Sequence, residues 1–177
     1  MLTGTKINHN VIRNSGSAGI ANINNVDGEI VRNTVENNGH RNAFGNGIGI
    51  QLGQGLPDDN SRLLVQGNQV HGNKLDGIQI PTTHFGDGAD ENRILNNNAT
   101  NNGRFDLFDG HPDCANNVWR NNTWGSGGYT PDCVTLGGKG PRPKGNGSKP
   151  AASSPEVRDV VRGRPADTGQ SDPLAMP

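Results

Sequence analysis

What this chain has little of narrows it first. Of its 177 residues, 29% are hydrophobic and 4% aromatic, and Leu occurs only 10 times. A thick globular core needs more apolar material than that. No apolar run approaches the ~18 residues of a membrane-spanning helix, so no membrane span is expected. Charge of one sign is lacking too: the net charge is −1. That removes the electrostatic case for nucleic acid, and it argues against wholesale disorder, which pairs low hydrophobicity with strong charge. With two cysteines, neither a disulfide-dense scaffold nor a thiolate metal site can be assembled.

Glycine (27) and asparagine (25) are abundant instead. Such a chain buries little per residue and must compensate by repetition. The composition changes near Gly137. Residues 1–137 hold 24 of the 25 Asn, whereas residues 138–177 hold 7 of the 11 Pro and carry a net charge of +3. The first part is expected to be the folded domain and the second a disordered Pro/Gly/basic tail.

The body repeats the pattern I-x-x-N-x-V-x-x-N followed by G-I-x-I. Its copies start at Ile7, Ile30, Val65, Ile94 and Val118, and the recurring Asn falls at Asn10, Asn33, Asn68, Asn97 and Asn121. The steps are 23, 35, 29 and 24 residues. The shortest steps define the unit, and the longer ones carry inserted loops. A period in this range marks a solenoid. A leucine-rich repeat needs a denser leucine framework than this chain has. Short β-compatible runs separated by Asn and Gly, which tolerate left-handed backbone at corners, describe coils of a parallel β-helix. About five coils are expected, with the five Asn aligned in a ladder whose amides bond coil to coil.

The runs NTVENNG, GIGI, GNQVHGNKLDGIQI and NNNATNNGRFDLFD resemble the right-handed parallel β-helix repeats of the pectin-lyase-like superfamily. The stretch DLFDGHPDCANNVWRNNTWGSGGYTPDC resembles the terminal coil of its secreted bacterial members. The resemblance covers about residues 1–136 and implies an all-β, right-handed solenoid in an extracellular or cell-surface setting. It leaves activity open, because the superfamily holds pectate lyases, polygalacturonases, uronan epimerases and binding or structural modules. Met1–Lys6 runs straight into the first repeat, so an N-terminally truncated chain, a monomer or part of a longer polypeptide, is the expectation.

Cys114 and Cys133 flank the fifth repeat, 19 residues apart. A coil brings the chain back near its start, so the spacing allows either a bridge or two separate thiols. The paired cysteines of the secreted members imply the bridge, and hence an oxidising compartment. Trp119 and Trp124, between them, are expected to cover the end of the stack.

The insertions locate a candidate groove. Segments 51–62 and 81–93 leave the same corner of consecutive coils and are expected to form one wall. Segment 39–47 rises from the opposite edge. The expected floor is Ala21, Gly49, Gln79 and Phe108. A shallow elongated groove suits an extended polysaccharide, with Asp76, Gln79, His84 and Arg41 as candidate binding residues. Asp58, Asp59, Asp87 and Asp90 are candidate ligands for Ca²⁺, which would let an acidic wall hold a uronate. The superfamily's catalytic motifs are missing. Asp76 matches only the aspartate of an Asn-Thr-Asp segment, Gly-His-Gly is absent, and Arg41, Arg62 and Arg93 lie in no lyase-like arginine motif. Asp109-Gly-His111-Pro-Asp113 is only superficially like the epimerase Asp-Pro-His-Asp. A polysaccharide-binding or scaffolding module is the leading expectation. A partial or divergent lyase, hydrolase or epimerase and a purely structural stalk are the alternatives.

Overall fold

The computed structural model describes residues 2–40, 49–53, 61–81, 91–111, 113–114, 116–135 and 137–140. Strands of two or three residues alternate with tight corners and stack as a right-handed parallel β-helix. Three sheets run the length of the stack. The first contains Lys6–Asn8, Glu29–Val31, Leu64–Gln66, Arg93–Leu95 and Val118–Arg120. Val11–Arg13, Thr34–Glu36, Gln69–His71, Asn98–Thr100 and Thr123–Trp124 form the second. Ile20–Asn22, Ile50–Leu52, Ile78–Ile80, Leu107–Asp109 and Tyr129–Thr130 form the third. In every sheet the spatial order is the chain order, so each strand pairs in parallel with its equivalents one coil before and after.

The corners explain why the strands stop. A residue in left-handed backbone ends each strand of the first sheet: His9, Arg32, Gly67, Asn96 and Asn121, with φ between 54° and 65°. The next residue is the ladder asparagine. The backbone N–H and Nδ2 of Asn10 donate to Oδ1 of Asn33 at 2.9 and 3.1 Å. Asn33 does the same to Asn68, Asn68 to Asn97, and Asn97 to Asn122. The fifth rung is therefore Asn122 and not Asn121, whose φ of 54° turns the corner.

That shift has a physical origin in the fifth coil. Placing Val118 inward would turn Trp119 to solvent; instead Trp119 pairs with Ile94 and is fully buried, while Val118 is 37% exposed. Burying the larger apolar surface decides the register, and the ladder residue moves one position with it.

A second ladder stands at the next corner. Ser15 donates its N–H to Asn38 Oδ1, Asn38 to Asn73, Asn73 to Asn102, and Asn102 to Asp106 Oδ1 at 3.0 Å. These asparagines belong to the repeat motif, but their role as a buried amide column is a finding of the structure. Between the ladders the inward side chains stack like on like: Ile30, Val65 and Ile94 in the first sheet, Val35, Val70 and Ala99 in the second, and Ile50, Ile78 and Leu107 in the third. The core is one side chain wide per sheet. Polar columns fill the corners that this chain lacks apolar residues to fill.

The last coil is closed. Cys114 and Cys133 form a disulfide with Cα atoms 6.1 Å apart. The 3₁₀ turn Asp132–Thr135 packs on the last coil and buries Val134. Trp119 and Trp124 fill the inward positions, with Trp124 edge-on to Tyr129. Lys139 bridges Thr123, so strand pairing continues past Gly137. Residues 141–177, which include most of the expected tail, lie outside the described residues. No helix among the described residues is long and apolar enough to cross a membrane.

Candidate functional site

The third sheet carries the candidate site on its outer face. Its outward row, read by strand register, is Ala21, Gln51, Gln79, Phe108 and Thr130. Gln51, not Gly49, stands beside Gln79. The sequence run GIGIQL offers two readings, Gly47-Ile48-Gly49-Ile50 and Gly49-Ile50-Gln51-Leu52, and the structure takes the second. A Cβ on Gly49 would lie 2.7 Å from the Gly77 carbonyl oxygen and 2.8 Å from Asn73 Nδ2. Gly19 and Gly77 are as tightly approached, so these three glycines form one column where the coils nearly touch. Only a glycine fits there, which fixes the register. The likeness of G-I-Q-L to the G-I-Q-I of Gly77–Ile80 is the sequence signal that points to it.

Asp106 continues the glycine column in the fourth coil. It brings a carboxylate to the foot of the second ladder, where Oδ1 accepts from Asn102 and Oδ2 accepts from the Gly125 N–H at 2.9 Å. The fifth coil has Gly127 at the position a further ladder amide would occupy, with Asn102 and Asp106 atoms 3.0 Å from its Cβ direction. Asp106 thus terminates the column.

Asp76 precedes the third-sheet strand of the preceding coil, and the structure corrects its expected place. It is not on the groove surface but fully buried. Its carboxylate accepts Nε of Arg104 at 2.8 Å, Nη2 of Arg104, and the Phe105 N–H at 3.1 Å. The carboxylate beside it holds the Arg104 guanidinium above its ordinary pKa. Fixed in this way, the guanidinium lies 5.5 Å from the Phe105 ring centre and 5.2 Å from that of Phe108. The two rings stack with centroids 5.7 Å apart. Both are half-buried, and the Arg104 side chain is 46% exposed. A buried carboxylate therefore anchors a surface arginine, and the arginine covers an aromatic pair.

Gln79 occupies its expected outward position and is 9% exposed; Gln51 is 6% exposed and donates Nε2 to the Gly53 carbonyl. Arg41, His84, Asp58, Asp59, Asp87 and Asp90 lie outside the described residues. Among the described residues no three His, Cys, Asp or Glu side chains gather to hold a metal ion. Arg104, Phe105 and Gln51 are what the sequence reading missed. The phenylalanines three apart in R-F-D-L-F were a legible signal; an ion pair spanning residues 76 and 104 was not.

The Asp109–His111 pair serves the closed end. Asp109 is buried and accepts Trp119 Nε1 at 2.8 Å, Asn117 Nδ2 at 3.3 Å and the His111 N–H at 3.0 Å; His111 Nδ1 lies 2.8 Å away. Those donors satisfy a carboxylate that would otherwise be costly to bury. No family model, curated protein or solved structure matches this chain.

Proposed function

We propose that this chain is a non-catalytic β-helix module of the pectin-lyase-like kind, secreted or surface-located, that binds or scaffolds extracellular polysaccharide on the outer face of its third sheet. One observation carries the reading: a continuous row of amide and aromatic groups, Gln51, Gln79 and Phe108, flanked by the Phe105–Phe108 pair that Arg104 holds. Flat aromatic faces take the apolar faces of sugar rings, and amides take their hydroxyls. The disulfide is compatible with an oxidising, extracellular setting.

Calorimetry of the full chain against neutral and acidic glycans, with and without Ca²⁺, tests it. Binding should survive for at least one class and weaken about tenfold in Phe108→Ala, the loss of one aromatic contact. The combined replacement of Asp58, Asp59, Asp87 and Asp90 by Asn asks whether Ca²⁺ participates. If it does, acidic glycans should lose their response to EDTA in that variant. Failure of the parent chain to bind any glycan of the panel would overturn the proposal and leave a structural stalk.

A further inference from the structure

The two ends of the coil stack leave different groups unpaired. At the last coil, the 3₁₀ turn Asp132–Thr135 and the segment around Lys139 lie against the final strands. Gly138 and Gly140 run so close over the Trp124 ring that a Cβ on either would meet it within 2.5 Å. At the first coil, Lys6–Asn8, Val11–Arg13 and Ile20–Asn22 are each terminal in their sheets and bonded on one side only. Ile7 and Ile12, which head the inward columns, are half-buried, whereas Ile30 and Val35 beneath them are 1% and 0% exposed.

The asparagine ladder also has a direction. Every rung donates toward the later coil and accepts from the earlier one. Asn10 directs its backbone N–H to Asn33 Oδ1, and its Nδ2 to the same oxygen and to the Asn8 carbonyl. No described residue donates to Asn10 Oδ1. The open end therefore presents an acceptor at the ladder position, free strand edges, and two partly uncovered isoleucines. What completes it must bring donors, in parallel register, with apolar residues over Ile7 and Ile12.

We propose that this end is a docking edge for a partner polypeptide that adds one parallel coil, with a backbone N–H and a side-chain amide donating to Asn10 Oδ1. A second copy of this chain does not meet the requirement. Two-fold apposition would set Asn10 against Asn10, whose donors already face Asn33. Head-to-tail stacking would need the last coil, which Asp132–Lys139 covers. The inference rests on the coil geometry and is independent of the carbohydrate reading.

Hydrogen exchange over Lys6–Arg13 tests it in the full chain. One arm adds a synthetic peptide copying Lys6–Gly28 at millimolar concentration. The other duplicates that segment in tandem, which delivers the same coil covalently. The tandem chain should slow exchange over Lys6–Arg13 at least ~tenfold, and the peptide should do so in part. Asn10→Leu made in the inserted copy alone, which deletes the donor, should abolish the gain. Unchanged exchange in the tandem chain, with the later coils still protected, would overturn the proposal; should the tandem chain not fold, the peptide arm decides by the same criterion. Sedimentation of the unmodified chain as a dimer with Lys6–Arg13 already protected would also overturn it, because the occupant would then be a second copy.

Discussion

The corners after the first and second sheets differ in kind from the flanks of the third sheet. The first two corners bury a polar column that repeats in every coil: Asn33, Asn38, Asn68, Asn73, Asn97 and Asn102 are 0–6% exposed, and each bonds to the coil that follows. The approaches to the third sheet rely on closeness of backbone and on individual side chains. They include the glycine column, the Asp76–Arg104 pair and the aromatic rings beside it. A repeated amide ladder tolerates no insertion, because one extra residue would break two rungs. The third-sheet flanks accept insertions, and segments 39–47, 51–62 and 81–93 all enter there. Stability and variability are thus assigned to different corners of the same coil.

The largest test of that division is a comparison of rungs. Asn68 Oδ1 accepts two donors from Asn33, while its Nδ2 donates to the Ile30 carbonyl at 2.8 Å and to Asn97 at 2.9 Å. Asn68→Ala would strand those buried partners and should cost about 3–5 kcal/mol. Asn10→Ala, at the solvated end, should cost about 0.5–1 kcal/mol. Urea denaturation measures both, and equal losses would show that the ladder does not act as a buried column.

On the third-sheet side the corresponding change is Gly77→Ala. Its Cβ would sit 2.5 Å from the Asp106 carbonyl oxygen and 2.6 Å from Asn102 Nδ2. Forcing adjacent coils apart there should cost about 2–4 kcal/mol. Gly4→Ala meets nothing within 4 Å but needs φ of +66°, and should cost about 1 kcal/mol. If the two substitutions cost the same, close approach is not what the glycine column provides.

The same division explains what was legible in the sequence. Asn10, Asn33, Asn68 and Asn97 could be read as rungs because a ladder needs the same residue at the same place in every coil. The second column was visible as a motif but not as a structure, since spacing alone does not say which of two asparagines faces inward. Repetition failed where one coil departs from the others. Asn121 and Asn122 are chemically identical neighbours, and only the burial of Trp119 selects between them. GIGI reads equally well two residues apart until the backbone contact at Gly49 is seen. Asp76 resembled a groove carboxylate because its partner is an arginine in the following coil, a pairing without a sequence signature.

Closure of the last coil gives a test of intermediate size. Reducing the Cys114–Cys133 disulfide releases a loop of 19 residues and should cost about 3 kcal/mol by loop entropy. The effect should concentrate in the fifth coil, leaving the ladder from Asn33 to Asn97 protected in hydrogen exchange. Uniform loss of protection across all coils would mean that the closed end supports the stack as a whole, and the contrast between corners would then matter less than the contrast between ends.

The smallest effect belongs to the corner after the third sheet, where coils are joined at the surface instead of by a buried amide. Asp27 and Arg62, both in left-handed backbone, stack on consecutive coils, and Arg62 donates Nε and Nη2 to the two Asp27 oxygens at 2.7 and 3.1 Å. The hydrogen bond from Arg62 outweighs slight desolvation and, with its charge, holds the Asp27 carboxyl below the ordinary 3.8. A folded-state pKa lowered in this way makes its contribution above the unfolded value and loses it as pH falls through the folded value. Stability of the parent should therefore exceed that of Asp27→Asn at neutral pH, and the two should converge between about pH 4 and pH 2. Because both groups are exposed, molar salt should shrink the difference at neutral pH as well. Thermal melts of the pair across pH and salt provide the measurement. A gap that persists at low pH or resists salt would show that Asp27 acts through its backbone conformation at the corner, and not through its charge.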